Sequence, residues 1–87
     1  MTTAITLVID VPAGDRYHDA TVRALHAAAD EGGTEIDLAI VRSPEITERV
    51  GSPDGVWIGP CSPYDDMEAV VALIRRCREE GIPTIST

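Results

Sequence analysis

Phenylalanine is absent from these 87 residues, and the other aromatics amount to one Trp and two Tyr. An interior with so few rings must be filled by Ala, Val, Ile and Leu, as in helix-covered parallel sheets. Basic charge is also scarce, with seven Lys and Arg against fifteen Asp and Glu and a net charge of −8. Phosphate backbones and anionic bilayers demand clustered Lys and Arg, so nucleic acid and membrane surfaces are excluded as partners. No apolar run reaches the ~18 residues of a membrane helix, and no basic stretch leads into a signal-like one. Cytoplasm is the expected location. The two cysteines, Cys61 and Cys77, have neither a metal-ligand spacing nor the number for a disulfide framework. No metal and no cofactor is expected.

What is present is a foldable interior. Apolar residues make up 44% of the chain, enough for a core and too many for a disordered segment. The length falls below the ~100–150 residues of a typical self-sufficient domain, so residues 1–87 form one domain at most.

The pattern alternates strand and helix. Ala4 to Ile9 is a short, β-branched apolar run stopped by Asp10 and Pro12-Ala13-Gly14, which predicts a buried strand. A loop through Asp15-Arg16-Tyr17 leads to a helix from about His18 to Glu31, with Val22, Leu25 and Ala28 or Ala29 as its apolar stripe. Gly32-Gly33 ends it. Ile36 to Val41 is a second strand; Ser43 then caps a helical turn over Glu45 to Val50 with Pro44 in its first position. Val56-Trp57-Ile58 is a third strand, and Gly59-Pro60 stops it. Ser62 caps the next helix, with Pro63 at its first position and Asp65 three residues on. Met67, Val70, Val71, Ile74 and Cys77 share one face of that helix. Gly81 is its stop and Ile82 to Ile85 the fourth strand. Repeated strand–helix–strand units imply an α/β fold, an open parallel sheet of about four strands in the flavodoxin-like manner.

Chemistry in such a sheet gathers past the carboxyl ends of the strands. The turn from Gly59 to Tyr64 runs from a strand into a helix and aims backbone N–H groups at one spot, which suits an anion or an oxyanion. A plain, well-capped turn has the same pattern. Cys61 lies on this turn as a nucleophile or as a small buried thiol. A thiolate needs a basic neighbour, and the adjacent Asp65 and Asp66 disfavour it. Cys77 belongs to the core. His18 and His26 are two helical turns apart and cannot share a metal ion; His26 faces solvent. Arg16, Tyr17 and His18 follow the first strand on the ligand-facing edge. The residues alone therefore give a sheet with an anion-binding edge and no complete catalytic set.

Arg16-Tyr17-His18 with Ala20-Thr21, the block Asp54 to Tyr64 with Met67-Glu68, and Ile74-Arg75 with Gly81-Ile82-Pro83 resemble the CTP synthase C-terminal-region-related proteins. These belong to the class I glutamine amidotransferase-like superfamily, and the resemblance spans essentially the whole chain. It implies glutamine as the substrate and ammonia transfer as the activity, with Cys61 and Ser62 as oxyanion-hole residues and Arg16, Tyr17, His18 and Tyr64 on the substrate edge. The nucleophile position would directly follow Thr87. The chain as given then lacks the family's nucleophile and its downstream His and Glu, and has no turnover. Some members resemble selenoproteins, which would make the stop after Thr87 a UGA codon; a nonsense truncation or a gene fragment would end the chain at the same place. Two departures stand out: the family keeps glycine where Cys61 stands, and glycine where Ser86 stands. A second reading is a small non-catalytic binding or self-assembly module, pairing copies through an exposed strand edge. A phosphate site at Cys61 to Tyr64 lacks the glycine-rich loop such sites prefer.

Overall fold

A computed structural model describes residues 2–12, 14–59 and 64–86. The chain forms an α/β fold whose strands β1 (Thr2–Val8), β2 (Glu35–Val41), β3 (Gly55–Ile58) and β4 (Thr84–Ser86) alternate with helices. Helix α1 (Arg16–Glu31) follows β1, and a 3₁₀ turn (Ser43–Glu45) running into α2 (Ile46–Arg49) follows β2. Helix α3 (Met67–Glu80) joins β3 to β4. All strand pairs are parallel, in the order β2-β1-β3-β4. The order reverses between β1 and β3, which is where open α/β sheets place ligands.

Register divides the side chains between two faces. Val8 lies level with Val41 and with Ile58, and Thr6 with Val56. These valines and Ile58 are buried against Ile46 and Val50 and against Val70, Leu73 and Cys77 of α3. On the opposite face Leu7 lies level with Ile40 and with Trp57, and Trp57 with Ile85. Among the described residues only α1 packs there. Leu7 and Ile9 are buried, whereas Ile85 is 61% exposed.

Several element boundaries depart from the sequence-based expectation. β1 begins at Thr2, and β4 covers Thr84–Ser86 instead of Ile82 to Ile85. Arg16, Tyr17 and His18 form the first turn of α1, not a loop, because Asp15 caps the helix by accepting the Tyr17 N–H at 2.8 Å. Ser43 does not cap the turn after β2; it is that turn's first residue and its hydroxyl is committed elsewhere. Ser62 is not the cap of α3. The helix starts at Met67 with Asp66 accepting the Ala69 N–H at 3.0 Å. The buried stripe of α3 is Val70, Leu73 and Cys77, while Met67 and Val71 are exposed. In α1 the buried pair is His18 and Thr21, with Val22 and Leu25 half-covered and Ala28 exposed. Gly81 ends α3 with φ 71°, a conformation that favours glycine.

Candidate functional site

The carboxyl edge of the sheet is built around one buried hydroxyl. Asp10 stands two residues past β1, and its carboxylate accepts the Ser43 N–H at 2.7 Å and the Ser43 hydroxyl at 2.8 Å. It also accepts the Asp65 N–H at 2.8 Å. The Ser43 Oγ, fully buried, in turn accepts the Asp66 N–H at 2.8 Å. Three segments distant in sequence are thus tied together: the end of β1, the turn after β2 and the approach to α3. Partial burial pushes the Asp10 carboxyl up. The N–H groups of Ser43 and Asp65, the Ser43 hydroxyl and the Arg42 charge outweigh that and hold it below its ordinary value. Arg42 also pairs with Asp65 at 2.5 Å on the exposed rim.

Beside this knot lies the switch between β1 and β3. The Gly59 N–H donates to the Val8 carbonyl at 2.7 Å. A Cβ on Gly59 would come within 3.0 Å of that carbonyl oxygen and 3.2 Å of the Ile9 Cβ, so the close approach of the two strand ends requires glycine. The Tyr64 hydroxyl donates to the Gly59 carbonyl at 2.7 Å. The oxyanion-hole candidates Cys61 and Ser62, which stand between them in the sequence, fall outside the described residues.

The α1 end of the edge is closed by its own carboxylates. Asp15 caps the helix, and Asp19 accepts the Gly14 N–H at 3.2 Å. The Arg16 guanidinium lies over the Tyr17 ring, 5.0 Å from its centroid. Tyr17 is exposed, whereas His18 is buried against the sheet. The His18 Nδ1 has no hydrogen-bond partner among the described residues, and the nearest carboxylate oxygen, on Asp19, is 3.5 Å away. Arg16, Tyr17 and His18 thus share one helical turn but point to different surroundings. His26 is exposed, as its position on the helix indicates.

Among the described residues no group of three His, Cys, Asp or Glu side chains is placed to hold a metal ion. Among the described residues no helix is long and apolar enough to cross a membrane. Cys77 is buried in the core between α3 and the sheet. Neither a family model nor a curated protein matches the chain.

Asp10 and Ser43 are what the reading by sequence missed. Asp10 was a strand boundary there and Ser43 a cap. An Asp directly after one strand and a Ser-Pro directly after the next both fall on the carboxyl edge, which is the signal that joins them. Among the described residues the carboxylates of Asp10, Asp15, Asp19, Glu45, Asp65 and Asp66 gather on this edge with the guanidiniums of Arg16 and Arg42. That balance disfavours a phosphate and suits a ligand with a cationic end.

Proposed function

We propose that the chain is the amino-terminal portion of a class I glutamine amidotransferase-like domain of the CTP synthase-related kind. The observation that carries this reading is the position of Gly59 at the β1/β3 switch point, in a block of sequence that resembles that family. Gly59 lies tight against Val8, and the Tyr64 hydroxyl donates to the Gly59 carbonyl. The acidic edge also supports it, because glutamine presents an α-ammonium group. In the parent reaction a thiolate or selenolate adds to the carboxamide carbon, and backbone N–H groups hold the developing oxyanion. Collapse of that adduct releases ammonia, and water cleaves the acyl-enzyme to glutamate. Cys61 and Ser62 would supply the oxyanion donors, and the nucleophile would directly follow Thr87. The 87 residues alone should release no ammonia from glutamine.

Mass spectrometry of the product in its native host, with the coding sequence past codon 87, tests the reading. The expected product is longer and carries Cys or selenocysteine after Thr87, with His and Glu downstream. A product that ends at Thr87 contradicts it. In that case the second reading, a non-catalytic self-assembly module, stands on the exposure of Ile85 at the β4 side of the sheet.

A further inference from the structure

The two outer strands of the sheet differ in the charge they show. Among the described residues β2 is bonded only to β1 and β4 only to β3, so each has one free edge. β2 reads Glu35-Ile36-Asp37-Leu38-Ala39-Ile40-Val41, with Ile36, Leu38 and Ile40 on one face and Glu35, Asp37, Ala39 and Val41 on the other. Glu35 and Asp37 are exposed on the α3 face, since they alternate in step with Val41. Beside β4 on that same face, Arg78 of α3 lines a hollow with Ile74, Ile82 and Thr84. Arg75 and Arg78 are both exposed. The nearby Glu80 is engaged by Arg76 at 2.9 Å, and Glu79 is exposed.

We propose that the free edge of β4 binds the free edge of β2 from a second copy of this chain, extending one parallel sheet head to tail. This inference is independent of any glutamine chemistry. Strand direction permits it, because β2 and β4 run the same way. Register matches it as well. Thr84 lies level with Val56, Val56 with Thr6, and Thr6 with Ala39. If the register continues across the junction, Asp37 of the second copy falls level with Ile82, beside Arg78. On the other face Ile40 of the second copy falls level with Ile85. The α1 of that copy would then cover the groove of about 180 Å³ bordered by Leu25, Trp57 and Ile85, which no helix of the first copy fills.

Charge selects this pairing over the symmetric ones. Two copies related by a two-fold axis would pair like edges antiparallel, so two β4 edges form no Asp37–Arg78 pair and two β2 edges gather the Glu35 and Asp37 carboxylates of both copies on one face. A head-to-tail contact does not close on itself unless its rotation happens to do so, and each added copy leaves a new β4 edge open.

Sedimentation equilibrium over a wide concentration range tests the proposal. The expected result is growth past the dimer with no preferred end point, weakened by added salt. Asp37→Arg and Arg78→Glu should each weaken association by roughly tenfold or more. Both positions are exposed, and circular dichroism checks that the variants fold. Mixing the two variants should restore opposite charges at both kinds of junction, so that growth resumes with the two variants alternating. A wild-type chain that stays monomeric, growth that stops at a symmetric dimer, or a mixture that does not recover would each overturn the proposal.

Discussion

Val56 and Trp57 are neighbours on β3, yet Val56 is sealed beneath α3 while Trp57 borders an open groove. The difference runs the length of the sheet. One face is closed by α2 and α3 over a continuous aliphatic cluster; the other has only α1. The Trp57 indole N–H has no partner among the described residues, a cost that its neighbour Val56 on the closed face does not carry. The comparison teaches that the same apolar content stabilises one side of this sheet and leaves an adhesive surface on the other.

The largest effect is expected on the closed face. Leu73 is 3% exposed within the aliphatic cluster, so Leu73→Ala should cost about 2–5 kcal/mol in chemical denaturation. A loss below half a kilocalorie would mean that this face is no more closed than the other. Gly59→Ala should cost about 1–3 kcal/mol, because the new methyl meets backbone that cannot step aside. Thermal melts of the pair Gly59→Ala and Gly51→Ala make the check, since a Cβ at Gly51 meets nothing within 4 Å.

These positions also show how far the sequence could be read. The parallel α/β order was legible because each strand is a short β-branched run and the two long helices, α1 and α3, end at glycine. Leu73 was passed over because a stripe counted from Met67 reaches Val70, Val71 and Ile74, whereas the sheet fixes the phase at Val70, Leu73 and Cys77. Nothing local to α3 carries that phase. The Asp10–Ser43 pair spans 33 residues, and the bond from Asp65 to Asp10 spans 55, so no window of sequence joins them. Helix capping was misjudged twice for one reason: Ser43 gives its hydroxyl to Asp10, and Asp66 is the nearer cap for α3. The Cys61 and Ser62 assignments rest on resemblance alone.

Smaller effects probe the knot at the carboxyl edge. Ser43→Ala leaves the Asp66 N–H without its acceptor and removes a donor to Asp10, at about 1–3 kcal/mol. The Asp10 carboxyl has a lower pKa folded than unfolded, so the stability it gives is present above the ordinary carboxylate range. That stability is lost as pH falls through the lowered value. Asp10→Asn should therefore flatten the acid limb of a stability-versus-pH curve relative to the parent protein. An unchanged acid limb would assign that limb to other carboxylates. The smallest effect belongs to the open face. Ile85→Ser should shift the stability of the dilute monomer by no more than about 0.5 kcal/mol, while weakening self-association.

Trp57, the single tryptophan, sits on the open face and reports on it directly. Its fluorescence should be measured with acrylamide as quencher, first in dilute protein and then at rising concentration. The account predicts ready quenching in the monomer and protection with a blue shift as copies assemble over the groove. A Trp57 that is already shielded in the dilute monomer would contradict the half-open sheet.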